Sequence, residues 1–398
     1  MFASFIQKSC MLGLLAFTCL TPGSSLLAQK MTPLEKVELK QARKRAKKAT
    51  RAIRKCFKQC KIPKRDLYKI ALFIETELPK RVAAENRYYY SRVKTRLART
   101  IELDPRTNKV FIHLKQHGLK KLGRGACKKV TYSILYSTTH PKKVAYSLAN
   151  RPNENEAQAT LDLKDGKRLY KVISVLTDSR NQGSNKFSFV SKYYEMGDFA
   201  NFLNKKRQSL KFKDKFRFCR DIMIGIQSMH SKSYAHRDLG LKNFFVEKRR
   251  GKVRLVVADF GRAVKDGYTN EKGAQGGYSL CAPEGLDYNS LQGDDYLRTD
   301  IFALGCTFYK ILYNTKPVWI NLDQIKDTNV PVKTRQEHYI HALEQYRKKR
   351  GRELNQLCDQ SKRFCQARLE KIILKMIHPD PLLRPTAAQV CQMLKDMH

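Results

Sequence analysis

The residues best suited to chemistry lie close together in the second half of the chain. His236-Arg237-Asp238-Leu239-Gly240-Leu241-Lys242-Asn243 puts a carboxylate, cations and an amide on eight consecutive positions, and Asp259-Phe260-Gly261 follows twenty-one residues after Asp238. Carboxylates move protons, and carboxylate or amide oxygens hold hard divalent cations. Between the two stretches, Phe244-Phe245-Val246 and Leu255-Val256-Val257 read as a hairpin turned at Arg249-Arg250-Gly251. Such a hairpin returns Asp259 to the side of Asn243. Gly261 permits the backbone geometry that follows. Further on stand Ala282-Pro283-Glu284, Asp300 at the head of an apolar helix, and His378-Pro379-Asp380-Pro381-Leu382-Leu383-Arg384-Pro385. Upstream, Leu122-Gly123-Arg124-Gly125-Ala126-Cys127-Lys128-Lys129-Val130 sets two glycines between strand-like runs.

In this order and spacing, the stretches resemble the eukaryotic-type protein kinase family. The resemblance implies an α+β, two-lobed fold with a small antiparallel β lobe and a large α-helical lobe. It also implies ATP and Mg²⁺ as cofactors and a protein as substrate. Asp238 then takes the proton of the substrate hydroxyl, Asn243 and Asp259 hold the metal, and Lys242 reaches the γ-phosphate. Glu284 closes the activation segment and pairs with Arg384, and Asp300 holds the catalytic loop from below. Gly123 and Gly125 belong to the phosphate-covering loop. Leu122, Val130 and Ala145 cover the adenine, with Phe245 beneath it. Phe189 to Phe199 resembles the hinge between lobes, with Ser191 as gatekeeper and the backbone of Lys192, Tyr193 and Tyr194 on adenine.

Three departures from the family pattern carry information. Val144-Ala145-Tyr146-Ser147 has a serine where the ATP-binding lysine belongs, and serine supplies no cation to the α- and β-phosphates. Either the chain is a pseudokinase, or another lysine enters the same space. The kinases named "with no lysine" take that cation from the third-glycine position of the phosphate loop, which is Lys128 here. Glu156, with Glu154 as the alternative, is the candidate partner of that lysine on a helix. Second, Gly240 stands two residues after Asp238, where Ser/Thr kinases carry lysine. The basic residue is Lys242 instead, an arrangement more like tyrosine kinases, and Gly277 replaces a usual threonine. The balance leans to Ser/Thr. Third, Arg237 can pair with a phosphate on the activation segment, with Tyr268, Thr269 and Ser279 as candidate carriers.

The elements that must position these groups follow from periodicity. Strand-like runs occupy 110–114, 130–136, 144–148, 169–176 and 187–192, with a helix-prone stretch at 153–163. After Gly197 long helices follow, at 213–230 and 299–312. Residues 31–103 read as a basic helical region: a first helix ended by Pro63, a second interrupted by Pro79, and a third over 80–100. The turn cluster Asp104-Pro105-Arg106-Thr107-Asn108 reads as a domain boundary. The kinase domain then spans 108–398, with its small lobe at 108–195 and its large lobe at 196–398.

The 398 residues are 42% hydrophobic and 29% charged, which suits a folded rather than a disordered chain. Seventy-nine Lys and Arg against thirty-six Asp and Glu leave a formal net charge of +43. Such a field attracts anionic lipid, nucleic acid or acidic proteins. The basic helix at 36–65 is the place to look for an anionic membrane or acidic partner, with nucleic acid less favoured. Lys8, an apolar run at 10–20 and small residues up to Ala28 have the order of a signal peptide or signal anchor at 1–28. That implies an exported or membrane-associated protein, working in the cytosol of another cell. The eleven cysteines lack paired metal spacing and read as thiols.

Overall fold

A computed structural model describes residues 31–57, 63–85, 89–90, 98–114, 122–124, 128–149, 153–177, 186–265, 280–287, 291, 295–357 and 364–397. The chain divides into two compact units, Met1–Pro152 with Val172–Tyr193, and Asn153–Lys171 with Tyr194–His398. The first is built on a sheet and the second on helices, the α+β composition of the protein-kinase fold.

The sheet unit opens with two helices, α1 (Pro33–Cys56) and α2 (Lys64–Glu85). Thr32 caps α1, accepting the Glu35 amide while Glu35 reaches back to the Thr32 amide. Eight strands follow: β1 (Tyr89–Tyr90), β2 (Ala98–Asp104), β3 (Lys109–Leu114), β4 (Gly123–Arg124), β5 (Lys128–Leu135), β6 (Lys142–Ala149), β7 (Val172–Thr177) and β8 (Phe187–Lys192). They form one antiparallel sheet in the order β1-β2-β3-β5-β6-β8-β7, with β4 also paired to β5. Because side chains alternate along a strand, the sheet has two apolar faces. Val110, Ile112, Leu114, Tyr132 and Ile134 pack with Ala46, Ala49 and Ile53 of α1 and with Leu67, Ile70 and Ile74 of α2. Phe111, Val144, Tyr146, Leu176 and Val190 form the core of the other face. The sheet curls so far that Arg106, in the β2–β3 turn, donates to the carbonyl of Val175 on β7.

This arrangement corrects the reading of residues 31–103. No helix occupies 86–103 among the described residues; α2 continues through Pro79 to Glu85, and β2 follows. The residues read as a domain boundary close a hairpin instead. Asp104 accepts from the Arg106 amide at 3.0 Å and the Thr107 hydroxyl at 2.8 Å, and Asn108 turns with φ 50°. The strand was hidden because its polar residues face inward. Glu102 is buried against His113 Nε2 at 3.0 Å, whose Nδ1 lies 2.7 Å from Ser133 Oγ. Burial of such groups is tolerated when each is hydrogen-bonded.

The helical unit contains α3 (Glu154–Asp162), α4 (Phe199–Lys206), α5 (Phe212–His230), α6 (Asp295–Tyr313), α7 (Leu322–Lys326), α8 (Val332–Gln356), α9 (Phe364–Met376) and α10 (Ala387–Lys395). Two short ribbons accompany them: β10 (Phe244–Arg249) with β11 (Lys252–Val257), and β9 (Tyr234–Ala235) with β12 (Val264–Lys265). By contacts, 153–171 sit with this unit, whereas the lobe boundary read from sequence fell at 195/196. Glycine lets α5 approach β11: a Cβ at Gly225 would lie 2.5 Å from Val257. Asp221 on α5 secures the same contact, pairing with Arg168 at 3.0 Å and accepting the Leu255 amide at 3.1 Å. Burial raises its carboxyl above the usual value despite the neighbouring Arg168 and Arg254. Among the described residues Cys56, Cys219, Cys281, Cys306, Cys365 and Cys391 are free thiols, and no helix is long and apolar enough to cross a membrane.

Candidate active site

The loop from His236 to Asn243 is held from several sides within the helical unit. Asp300 accepts the amides of His236 at 2.6 Å and Arg237 at 2.9 Å. The Thr307 hydroxyl, also on α6, donates to the Leu239 carbonyl at 2.8 Å. His236 uses both ring nitrogens: Nε2 donates to the Ala258 carbonyl at 3.0 Å, and Nδ1 accepts the Asp238 amide at 3.2 Å. Asp238 itself stays partly open to solvent. Its backbone is fixed while its carboxylate remains accessible, as a base requires.

The β10–β11 ribbon brings the second acidic group back. Phe244 pairs with Val257, and the Ala258 amide donates to the Asn243 carbonyl at 2.8 Å. Asp259 therefore emerges beside Asn243, exposed and with φ 65°. Phe260 turns inward, its ring 6.1 Å from that of His236 and 5.3 Å from that of Tyr170. The Asn243 amide nitrogen donates to the Asp238 carbonyl at 2.7 Å. Its oxygen is thus the atom left to offer a cation. An amide oxygen beside a carboxylate is a donor set that suits Mg²⁺, so the residues fit that metal. Lys242, directly before Asn243, is exposed.

Within the sheet unit, register decides what shares a face. Lys128 lies opposite Ala149, Val130 opposite Ser147, and Tyr132 opposite Ala145. Lys128, Val130, Ala145 and Ser147 therefore point to one side of the sheet. Phe189, opposite Ser147 on β8, is on that side too, and the Lys128 ammonium stands 5.8 Å from its ring. Gly123 pairs with Val130, while Gly125 lies outside the described residues. Leu122 and Tyr193 pack against the α1–α2 core, and Tyr193 Oη is 3.2 Å from Tyr132 Oη. Lys192 ends β8 opposite Val144 and so faces the other side.

The remaining candidates belong to the helical unit. Tyr194 stacks on Phe245 with centroids 5.3 Å apart, and its hydroxyl accepts the Lys171 amide at 3.0 Å. Burial raises the Tyr194 phenol. On α3, Glu156 is 4% exposed whereas Glu154 is open to solvent. Arg237 is buried with φ 63° and its guanidinium lies 4.8 Å from the Tyr296 ring. Tyr268, Thr269 and Ser279 lie outside the described residues.

A family model for the protein kinase domain matches residues 117–394, more than half of the chain. The chain belongs to the protein kinase family. Protein kinase domains use ATP and Mg²⁺ and act on proteins. The chain is 30% identical over 156 residues to the tyrosine-protein kinase receptor svh-2 of Caenorhabditis elegans. It is 28% identical over 189 residues to the fatty acyl-CoA synthetase and RNA processing-associated kinase 1 of Saccharomyces cerevisiae, and 26% over 185 residues to a probable serine/threonine-protein kinase of Dictyostelium discoideum. These stretches are 38%, 44% and 44% of this chain, and the chain spans only 14%, 21% and 21% of those relatives.

Some parts of this kinase had no legible signal. Tyr339 and Gln336 on α8 donate to the carbonyls of Cys281 at 3.0 Å and Pro283 at 3.2 Å, tying down the end of the activation segment. They belong to no short motif. Arg262, directly after Gly261, pairs with Asp238 across 4.0 Å. Its position beside Asp259-Phe260-Gly261 was the signal available for it.

Proposed function

We propose that this chain is an ATP- and Mg²⁺-dependent kinase that transfers the γ-phosphate to a protein hydroxyl, of the Ser/Thr class. Lys128 replaces the usual lysine on the α- and β-phosphates, with Glu156 as its partner. Asn243 and Asp259 hold the metal, and Asp238 takes the hydroxyl proton. Leu122, Gly123, Gly125, Val130, Ala145, Phe245 and the backbone of 192–194 surround the nucleotide. The metal would draw charge from the phosphates. The observation that carries this reading is the tie of Asn243 to both Asp238 and Ala258, which holds base and metal ligands in one rigid piece. Transfer of label from γ-labelled ATP to casein tests it. Asp238→Asn is expected to lower that transfer about 10²–10⁴-fold. Equal labelling by both proteins refutes the role of Asp238.

Ser147 favours a second reading, a pseudokinase that binds nucleotide without turnover and serves as a basic scaffold. Absence of any Mg²⁺-dependent transfer by the unaltered protein would select it.

The basic helix supports a surface role alongside either reading. Helix α1 spends its Ala42, Ala46, Ala49 and Ile53 stripe on the core, leaving Lys36, Lys40, Arg43, Lys44 and Lys47 exposed. Met31, Leu34 and Val37 are exposed at its start. Basic residues beside apolar ones suit an anionic lipid surface better than an acidic protein or nucleic acid. Vesicles containing phosphatidylserine should pellet the protein at low salt and lose it at high salt, whereas phosphatidylcholine vesicles should not. Charge reversal of Lys40, Lys44 and Lys47 should abolish pelleting; unchanged pelleting excludes α1 as the surface. Export through 1–28 would bring such a kinase to a membrane or to another cell's cytosol.

A further inference from the structure

Resting on the kinase reading above, we propose that Arg262 is a catalytic cation of the transfer step, shared by Asp238 and the phosphoryl group in transit. Arg262 Nε lies 4.0 Å from Asp238 Oδ2. The backbone on either side of it is anchored. Two residues earlier Phe260 is packed on His236 and Tyr170, and two residues later Val264 pairs with Ala235, just ahead of the catalytic loop. The guanidinium is thus delivered to the base by the fold.

The loop itself supplies no side chain at the position two residues after Asp238. Gly240 stands there, and a Cβ would meet nothing within 4 Å, so packing does not demand the glycine. Lys242, the cation the loop does carry, stands four residues after Asp238. Arg262 brings positive charge beside Asp238 from the turn ahead of β12.

The pair is weak by construction, with Arg262 half exposed and Asp238 one-third exposed, at 50% and 33%. Solvent screens such a pair, so its contribution to stability is small. A half-exposed guanidinium beside the base can exchange a carboxylate for a phosphate, whose oxygens match its planar fork. In the step, the acceptor hydroxyl gives its proton to Asp238 and its oxygen bonds to the γ-phosphorus. The bond from that phosphorus to the β–γ bridging oxygen breaks, and ADP leaves with the electron pair. Charge spread over the three γ-oxygens is what Arg262 meets, after it has steadied the carboxylate for the proton.

The full-length chain, casein and MgATP suffice as a test. Arg262→Ala is expected to lower kcat about 10–100-fold, less than the roughly 10²–10³-fold for a fully enclosed charge-stabilising donor because the side chain is half exposed, with the KM for ATP changed less than about threefold. Arg262→Lys should recover part of the loss, because it restores charge without the fork. Added methylguanidinium should raise turnover of Arg262→Ala and not of the unaltered protein, which a purely structural residue would not show. Unchanged kcat in Arg262→Ala, or a loss that methylguanidinium does not touch, overturns the proposal. If the unaltered protein labels nothing, the kinase reading itself fails; if it labels casein and Arg262→Ala matches it, only the role of Arg262 fails.

Discussion

Lys128→Ala is expected to reduce phosphoryl transfer about 10²–10³-fold, the scale of losing one pre-positioned charge at a phosphate, while Ser147→Ala keeps most of it. The difference follows from register. Lys128 and Ser147 lie on one face of the sheet, separated by the step from Ala149 to Ser147 on β6. The Lys128 ammonium lies 5.8 Å from the ring of Phe189, the cross-strand neighbour of Ser147. A double variant sharpens the test. Moving the cation across the strand pair, as Lys128→Ala with Ser147→Lys, should regain a measurable part of the activity, since both side chains enter the same space. Steady-state labelling of casein at saturating ATP reads all three proteins. Equal activity of Lys128→Ala and Ser147→Ala removes Lys128 from the site.

The largest expected effect on stability belongs to Arg384. Its side chain is fully buried at 0% exposure, and all of its donors are used. Nε donates to the His378 carbonyl at 2.6 Å, Nη2 to Glu284 at 2.8 Å and the Pro379 carbonyl at 3.0 Å, and Nη1 to Glu284 and the Arg298 carbonyl. The guanidinium also lies 4.9 Å from the Phe302 ring. Arg384→Ala strands the Glu284 carboxylate and three carbonyls, a change that costs about 3–5 kcal/mol when a buried pair is broken from one side. Arg384→Lys should recover little, because an ammonium cannot reproduce the fork. The single tryptophan, Trp319, is buried in the same unit, so its fluorescence follows urea unfolding there. A midpoint shift at constant slope is the expected signature. A midpoint unchanged in Arg384→Ala would show that the pair is dispensable.

Both effects rest on groups whose types were visible in the chain but whose partners were not equally so. The spacing from Asp238 to Asn243 and on to Asp259 is a local property. A loop and a short hairpin carry it, and the hairpin turned at Arg249–Gly251 as its residues demand. Helices α5 and α6 were legible for the same reason, α5 from an apolar repeat along one face and α6 from an apolar run too long for a strand. The Glu284–Arg384 pair, a hundred residues apart, was reached through family resemblance rather than pattern.

Other features depended on contacts that no local pattern holds. Strand β2 looked charged because Glu102 and Thr100 are buried polar residues, and their partner His113 arrives from β3. Pro79 sits inside α2, and packing of Leu67, Ile70, Ala71, Ile74 and Leu78 on the sheet outweighs the lost backbone hydrogen bond. Arg262 stands beside Asp238 only because β12 pairs with β9. Sequence by itself determined which residues could do chemistry at 236–259, because loop and hairpin geometry is short-range, and the resemblance of those motifs to the kinase family implied the fold that presents them. Tertiary structure alone decided that Lys128 shares the face of Ser147 and that Arg262 reaches Asp238. Strand register and long-range ion pairs are set by the packing of the whole unit, and one residue of slip would turn each side chain away.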